Sequence, residues 1–166
     1  MSSYIKLIIF IVVLLLISVA IVFIDSSVEN MNHSMPSISD GIVQGDKDYN
    51  ESVELLNERS FDEASQKANS AGDNYNNSLK KLEEMRDKYD KDLNEVHKDY
   101  IGATVDELNL KLKAVDELKE AIYYLERYYN YTGSSHGTEA NDIMQDAVEY
   151  QKQRNDIVLE NPKLFT

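Results

Sequence analysis

The sequence predicts an all-α protein: an N-terminal transmembrane helix followed by an antiparallel helical bundle or coiled-coil-like hairpin. Three observations predict it. Leu7 to Ile24 is a stretch of eighteen residues without a charge. From Ser60 onward, apolar and small residues recur at steps of three and four, the spacing of one helix laid along another. Only two prolines and six glycines interrupt the 166 residues, and no alternating strand pattern competes.

With Ile5 in front, the apolar stretch gives about 20 residues and roughly 30 Å of helix, the thickness of a bilayer's hydrocarbon core. Membrane lipid is therefore the expected partner of this helix. Lys6 precedes it, whereas Asp25 and Glu29 follow and no basic residue comes before Lys47. That asymmetry predicts a single-pass cell-membrane protein with a cytoplasmic N-terminus and its C-terminal domain outside. Ser18-Val19-Ala20 offers small residues for signal cleavage after Ala20. Cutting there would leave Ile21-Val22-Phe23-Ile24 as a greasy new terminus, so an uncleaved signal-anchor over 1–24 is expected.

Beyond Ile24 lie all thirty acidic residues and sixteen of the seventeen Lys and Arg, a net charge of −14. Such a surface disfavours nucleic acid, whose phosphates need clustered cations. The chain has no cysteine, so disulfides, thiolate metal sites and cysteine nucleophiles are excluded together.

Residues 25–45 contain Ser, Asn, Pro36, Gly41 and Gly45 with little periodicity, and read as a flexible stalk. A helix over 46–58 follows, with Tyr49, Val53 and Leu56 on one face. Ser60-Phe61-Asp62-Glu63 is a capping box opening a helix over 61–100. Its stripe runs Phe61, Ala64, Ala68, Ala71, Tyr75, Ser78, Leu82, Met85, Tyr89, Val96 and Tyr100. Gly72-Asp73-Asn74 is its weakest point, and Asp92 breaks the last heptad. Gly102 marks a turn, and Thr104-Val105-Asp106-Glu107 is a second capping box opening a helix over 104–131. Val105, Leu108, Leu112, Val115, Leu118, Ile122, Leu125 and Tyr129 form its stripe. Thr132 to Gly137 reads as a loop. Thr138 then caps a last helix over 138–160, with Ala140, Ile143, Ala147, Tyr150, Arg154 and Ile157 on its stripe, before Pro162 and the tail 162–166. Residues 46–161 thus make one acidic bundle of antiparallel neighbours.

Leu55-Leu56 followed by Ser60-Phe61-Asp62-Glu63-Ala64, with Ala68 and Ala71 beyond, resembles one tetratricopeptide-type helical hairpin, from about Asp48 to Ala71. The early small residue is approximated only by Ser52, the closing proline is missing, and no second copy occurs. The resemblance implies a protein-interaction surface and no catalysis.

No catalytic, metal or cofactor site is expected. Asp46-Lys47-Asp48-Tyr49-Asn50 has the opening spacing of a calcium loop, yet Glu51 stands where glycine belongs and Asn57 where the bidentate glutamate belongs. His33, His97 and His136 lie in separate segments, and no phosphate loop or nucleophile elbow occurs. Two groups of partner-contact residues stand out. Tyr75, Leu82 and Tyr89 are seven apart on a narrow stripe of the long helix. Tyr124, Tyr128 and Tyr131 belong to a run of five tyrosines in nine residues. Asn32, Asn50, Asn76 and Asn130 each open an Asn-x-Ser/Thr triplet, a candidate glycosylation signal on an exterior surface.

The function expected is structural or protein-interacting, without catalysis: a membrane-anchored extracytoplasmic bundle that holds a protein partner or a second copy of itself. The alternative is a tethered ligand-sensing or solute-binding domain with the tyrosine patch as its site.

Overall fold

Buried residues at alternating steps of four and three build each long helix among the described residues. The computed structural model describes residues 29–165, so the expected span over Leu7 to Ile24, its flanking Lys6 and the terminal Thr166 lie outside the described residues. Among those described, no helix is long and apolar enough to cross a membrane. One helical turn, α1 (Glu29–Asn32), leads into α2 (Met35–Asn57), α3 (Phe61–Tyr89), α4 (Glu95–Glu126) and α5 (Asn130–Glu160). Connections of three to five residues between the four long helices leave neighbours no choice but to run antiparallel. Helix α2 packs on α3, α3 on α4, and α4 on α5, and the described residues form an all-α bundle.

The stalk expected over 25–45 is instead largely helical. Met35, Ile38, Ile42, Gly45, Tyr49, Ser52 and Leu56 are all buried on one face of α2. Their spacing is four-three throughout, but Gly45 and Ser52 hide it from a search for apolar side chains. Pro36 sits in the first turn, where a missing amide costs no helical hydrogen bond. Gly45 is a packing residue: a Cβ there would lie 2.5 Å from the Tyr75 ring.

The helix expected over 61–100 is two helices. Helix α3 passes through Gly72 unbroken and ends at Tyr89. Asn94 then caps α4, its side chain accepting from the His97 amide at 2.9 Å. The turn therefore falls at Asp90–Asn94, not at Gly102, and Thr104 caps nothing. Thr104 is buried inside α4, and its hydroxyl donates to the Tyr100 carbonyl one turn back at 2.8 Å. Gly102 is an ordinary helical residue with open space beside it.

The loop expected over 132–137 is also helical. Gly133 and Gly137 are buried in α5, in phase with Ala140, Met144, Ala147 and Gln151. This small-residue stripe lets α5 lie close on α4, and a Cβ on Gly133 would meet Leu125 at 2.5 Å.

The α2–α3 and α4–α5 turns are built alike. The Ser60 amide donates to the Leu55 carbonyl and Arg59 to Leu56, while Tyr129 donates to Tyr124 and Tyr128 to Leu125. Both are Schellman closures, with Arg59 (φ 61°) and Tyr128 (φ 64°) in the left-handed position that glycine favours. Ser60 makes no side-chain cap bond, and the turn also removes the other half of the expected capping box. Its amide is already taken by Leu55, so Glu63 has nothing to reach back to.

Candidate functional site

Where the four long helices meet at mid-height, the core is ionic rather than apolar. Asp46 comes from α2, Tyr75 from α3, Glu107 and Lys111 from α4, and Arg154 from α5. Lys111 and Glu107 have no exposed surface, and Asp46 has almost none. Lys111 Nζ stands 2.7 Å from Asp46 Oδ1 and 2.8 Å from Glu107 Oε1. Arg154 Nη2 lies 3.3 Å from Glu107 Oε2. The Tyr75 hydroxyl donates to Asp46 Oδ1 at 2.7 Å. Two anions and two cations leave the cluster neutral, the condition under which charges tolerate burial.

The surroundings shift these groups in definite directions. Burial holds the Asp46 carboxyl above the usual carboxylate range, outweighing Lys111 and the Tyr75 hydrogen bond. Burial alone would lower the Lys111 ammonium, but Glu107 and Asp46 together raise it. Two carboxylates thus compete for one ammonium, with Arg154 sharing Glu107 from the far side. Burial also pushes up the hydroxyls of Tyr49, Tyr75 and Tyr100, and at Tyr75 the Asp46 charge adds to the effect.

A second cluster clasps α2 to α3. The buried Asp48 carboxylate accepts from Ser70 at 2.7 Å, Lys67 at 3.0 Å and Asn74 at 3.1 Å. Burial alone would raise its pKa, but the hydrogen bonds from Ser70 and Lys67 prevail and hold it below the usual range. Asp46 and Asp48 therefore lie inside a helix with separate cationic partners, and the calcium-loop spacing has no structural counterpart. Among the described residues no group of three or more His, Asp or Glu is placed to hold a metal ion.

The turn between α4 and α5 carries the aromatic surface. Tyr124 is half-buried and stacks on His136, with ring centroids 5.3 Å apart, and His136 Nδ1 is 2.7 Å from Glu117. The Arg127 guanidinium lies 3.8 Å over the Tyr123 ring. Tyr128 is 79% exposed and Tyr131 is 90% exposed. Apart from Leu159, every large hydrophobic side chain exposed among the described residues is a tyrosine of this turn: Tyr123, Tyr128, Tyr129 and Tyr131. An open groove of about 470 Å³ runs beside it, between the start of α3 and the end of α4, with Phe61, Asp62, Lys119 and Tyr123 among its walls.

The expected partner-contact residues divide accordingly. Tyr75 and Leu82 are wholly buried within the bundle and Tyr89 is half-buried, so the narrow stripe is covered by this chain's own helices. The helix expected over 104–131 is α4, at Glu95–Glu126 the longest of the four long helices. Tyr124, Tyr128 and Tyr131 do not share a helical face, because α4 ends at Glu126 and Tyr128 lies in the turn. They are brought together at the bundle's end instead. Tyr129, assigned to the core from its spacing, is exposed.

Of the four triplets, Asn76 and Asn130 are exposed, and Asn32 and Asn50 are half-buried. The Ser52 hydroxyl donates to the Ala64 carbonyl at 2.7 Å and Ser78 to Ile38 at 3.2 Å. Two of the triplets thus owe their serines to the α2–α3 seam.

Sequence reasoning missed the ionic cluster because Asp46 resembled a helix start, Glu107 part of a capping box and Arg154 a stripe's polar edge. The available signal was phase. His97, Ile101, Thr104, Leu108, Lys111, Val115, Leu118, Ile122 and Leu125 keep four-three spacing and are all buried. A lysine there occupies a position that only a buried partner can satisfy. No family model matches the chain, and neither a curated protein nor a solved structure does so.

Proposed function

We propose that this chain is a single-pass membrane protein that displays an acidic helical bundle outside the cytoplasmic membrane and engages a protein partner through the tyrosines of the α4–α5 turn. The observation that carries this reading is the gathering of the exposed aromatics at one end of a bundle whose core is otherwise filled. That end is the one farthest from the start of α2. Ser78 and Lys81 of α3 reach back to Ile38 and Ser37, whereas Phe61, at the other end of α3, shares a groove with Tyr123. A bilayer holding the preceding apolar segment would therefore have the tyrosines at the domain's outer tip, roughly 35 to 40 Å away along α2. Tyrosine gives large amphipathic contact area at low entropic cost. Tyr128 also keeps a left-handed conformation that a glycine would adopt more easily, and such strain gathers where function needs a particular side chain.

A sensing role has less support. It asks for a pocket between helices, and two clefts among the described residues, of about 470 and 440 Å³, are open surface grooves with charged walls.

Two experiments test the proposal. Protease added to intact cells should remove an epitope placed after Thr166 while a membrane fragment keeps Lys6; a soluble form starting at Ile21 would overturn the anchor. A photo-crosslinking residue at Tyr131 should give a discrete adduct in intact cells, one at exposed Lys80 should not, and Tyr128→Gly should weaken the Tyr131 adduct without loss of helicity. Equal adducts at both positions would sink the tip as a contact surface.

A further inference from the structure

The lysine at the centre of the bundle has more than an ion pair around it. Its Nζ touches the carboxylate oxygens of two different acids, Asp46 at 2.7 Å and Glu107 at 2.8 Å, and neither the lysine nor Glu107 has exposed surface. We propose that Lys111 and Asp46 join in an intramolecular isopeptide bond, with Glu107 relaying the protons.

The parts the reaction needs are present and already in place. An amine attacking a carboxyl carbon must first lose a proton; the two carboxylates hold that proton on Lys111 more firmly than usual, and the Glu107 oxygen in contact with Nζ is the group placed to accept it. The Asp46 carboxyl must take protons to lose an oxygen, and burial holds that carboxyl above its ordinary range. Charge builds on Oδ1 as the amine adds, and the Tyr75 hydroxyl already donates to that oxygen at 2.7 Å. Holding amine and carboxyl together on rigid helices replaces an encounter in solution.

The step balances without a co-reactant. The Lys111 nitrogen forms a bond to Asp46 Cγ, the bond from Cγ to Oδ2 breaks, and one water leaves. Both protons that Nζ gives up end on the departing oxygen through Glu107, which is a carboxylate before and after. The product removes two buried charges and leaves Glu107 with Arg154 as a neutral pair. A site closed to bulk water then protects the amide from hydrolysis. In a chain without cysteine, this bond would tie α2 to α4 across 65 residues of sequence.

Intact-mass measurement on the full chain, extracted in detergent and then denatured, tests the proposal directly. The expected mass is one water below that of the sequence, and a protease digest should yield a branched peptide joining the segments that carry Asp46 and Lys111. The full sequence mass, persisting after days of incubation of the folded protein at neutral pH, would overturn it, and that result depends on no variant. Lys111→Arg keeps the positive charge and should restore the full mass. A water loss surviving in Lys111→Arg would be a different dehydration and would equally defeat the cross-link. Glu107→Gln should slow closure by on the order of a hundredfold, the contribution of a positioned proton carrier. Closure at the unaltered rate, in a variant shown to be folded by circular dichroism, would remove Glu107 from the mechanism.

Discussion

Among single residues, Arg154 shows how charge dictates this interior. Its guanidinium serves Glu107 at 3.3 Å and lies over the Tyr100 ring. Arg154→Met keeps much of the volume but takes the guanidinium away from the buried Glu107 carboxylate. Uncompensated buried charge costs about 3–5 kcal/mol, and the slight exposure of Arg154 favours the lower end. A fall of about 3 kcal/mol in urea-unfolding free energy is expected, and a variant as stable as its parent would show the cluster to be hydrated. Such a residue is hard to read from sequence because a charge spaced along a helix has two meanings. Lys80 and Glu84, four apart and well exposed, are a surface pair, whereas Glu107 and Lys111, also four apart, form the core. Spacing is identical in the two cases, and only the facing helices distinguish them.

Helices that share one architecture can still answer opposite ways to the same substitution. Alanine is preferred to glycine inside a helix by up to about 1 kcal/mol. Gly102→Ala should gain up to about that amount, since nothing lies within 4 Å of the new methyl. Gly45→Ala should instead lose about 1–3 kcal/mol, because the methyl drives into the Tyr75 ring at 2.5 Å. Paired thermal melts decide both signs. Asn94→Ala should cost about 0.5–2 kcal/mol as the loss of the α4 cap, and more than Thr104→Ala, whose hydroxyl only doubles a helical carbonyl's bond. Denaturant midpoints of the two variants give the order. These contrasts mark what the sequence could reveal. The all-helical class was legible because leucine, alanine and tyrosine repeat at helical steps. Helix limits were less so, because Gly41, Gly45, Gly102, Gly133 and Gly137 look like breakers, yet all five lie within helices. A chain that packs helices closely spends glycine in helix interiors, and it turns at Arg59 and Tyr128 without glycine.

Over the whole molecule, buried hydroxyls set the response to alkali. Tyr49, Tyr75 and Tyr100 have folded pKa values above their ordinary value near 10. A group raised on folding contributes stability that is complete below its unfolded pKa and is lost as pH climbs through the folded one. Unfolding free energy should therefore decline steeply above about pH 10, with tyrosinate absorbance appearing cooperatively with loss of helicity. Smooth titration of all eleven tyrosines with the helices intact would contradict the burial of the central three. Asp48 acts at the other extreme: lowered on folding, it contributes stability above its unfolded value near 3.9 that is lost as pH falls below it.

The antiparallel order places the first turn of α2 and the last turn of α5 at one pole of the bundle, where Phe165 folds back against His97 and Tyr100. Tension between the two ends of the domain would therefore peel helices apart one contact layer at a time instead of shearing all layers together. The bundle would yield at low force from that pole toward the ionic layer, and a covalent tie between α2 and α4 would stop the tear there. The tyrosine turn would be the last part to feel the pull.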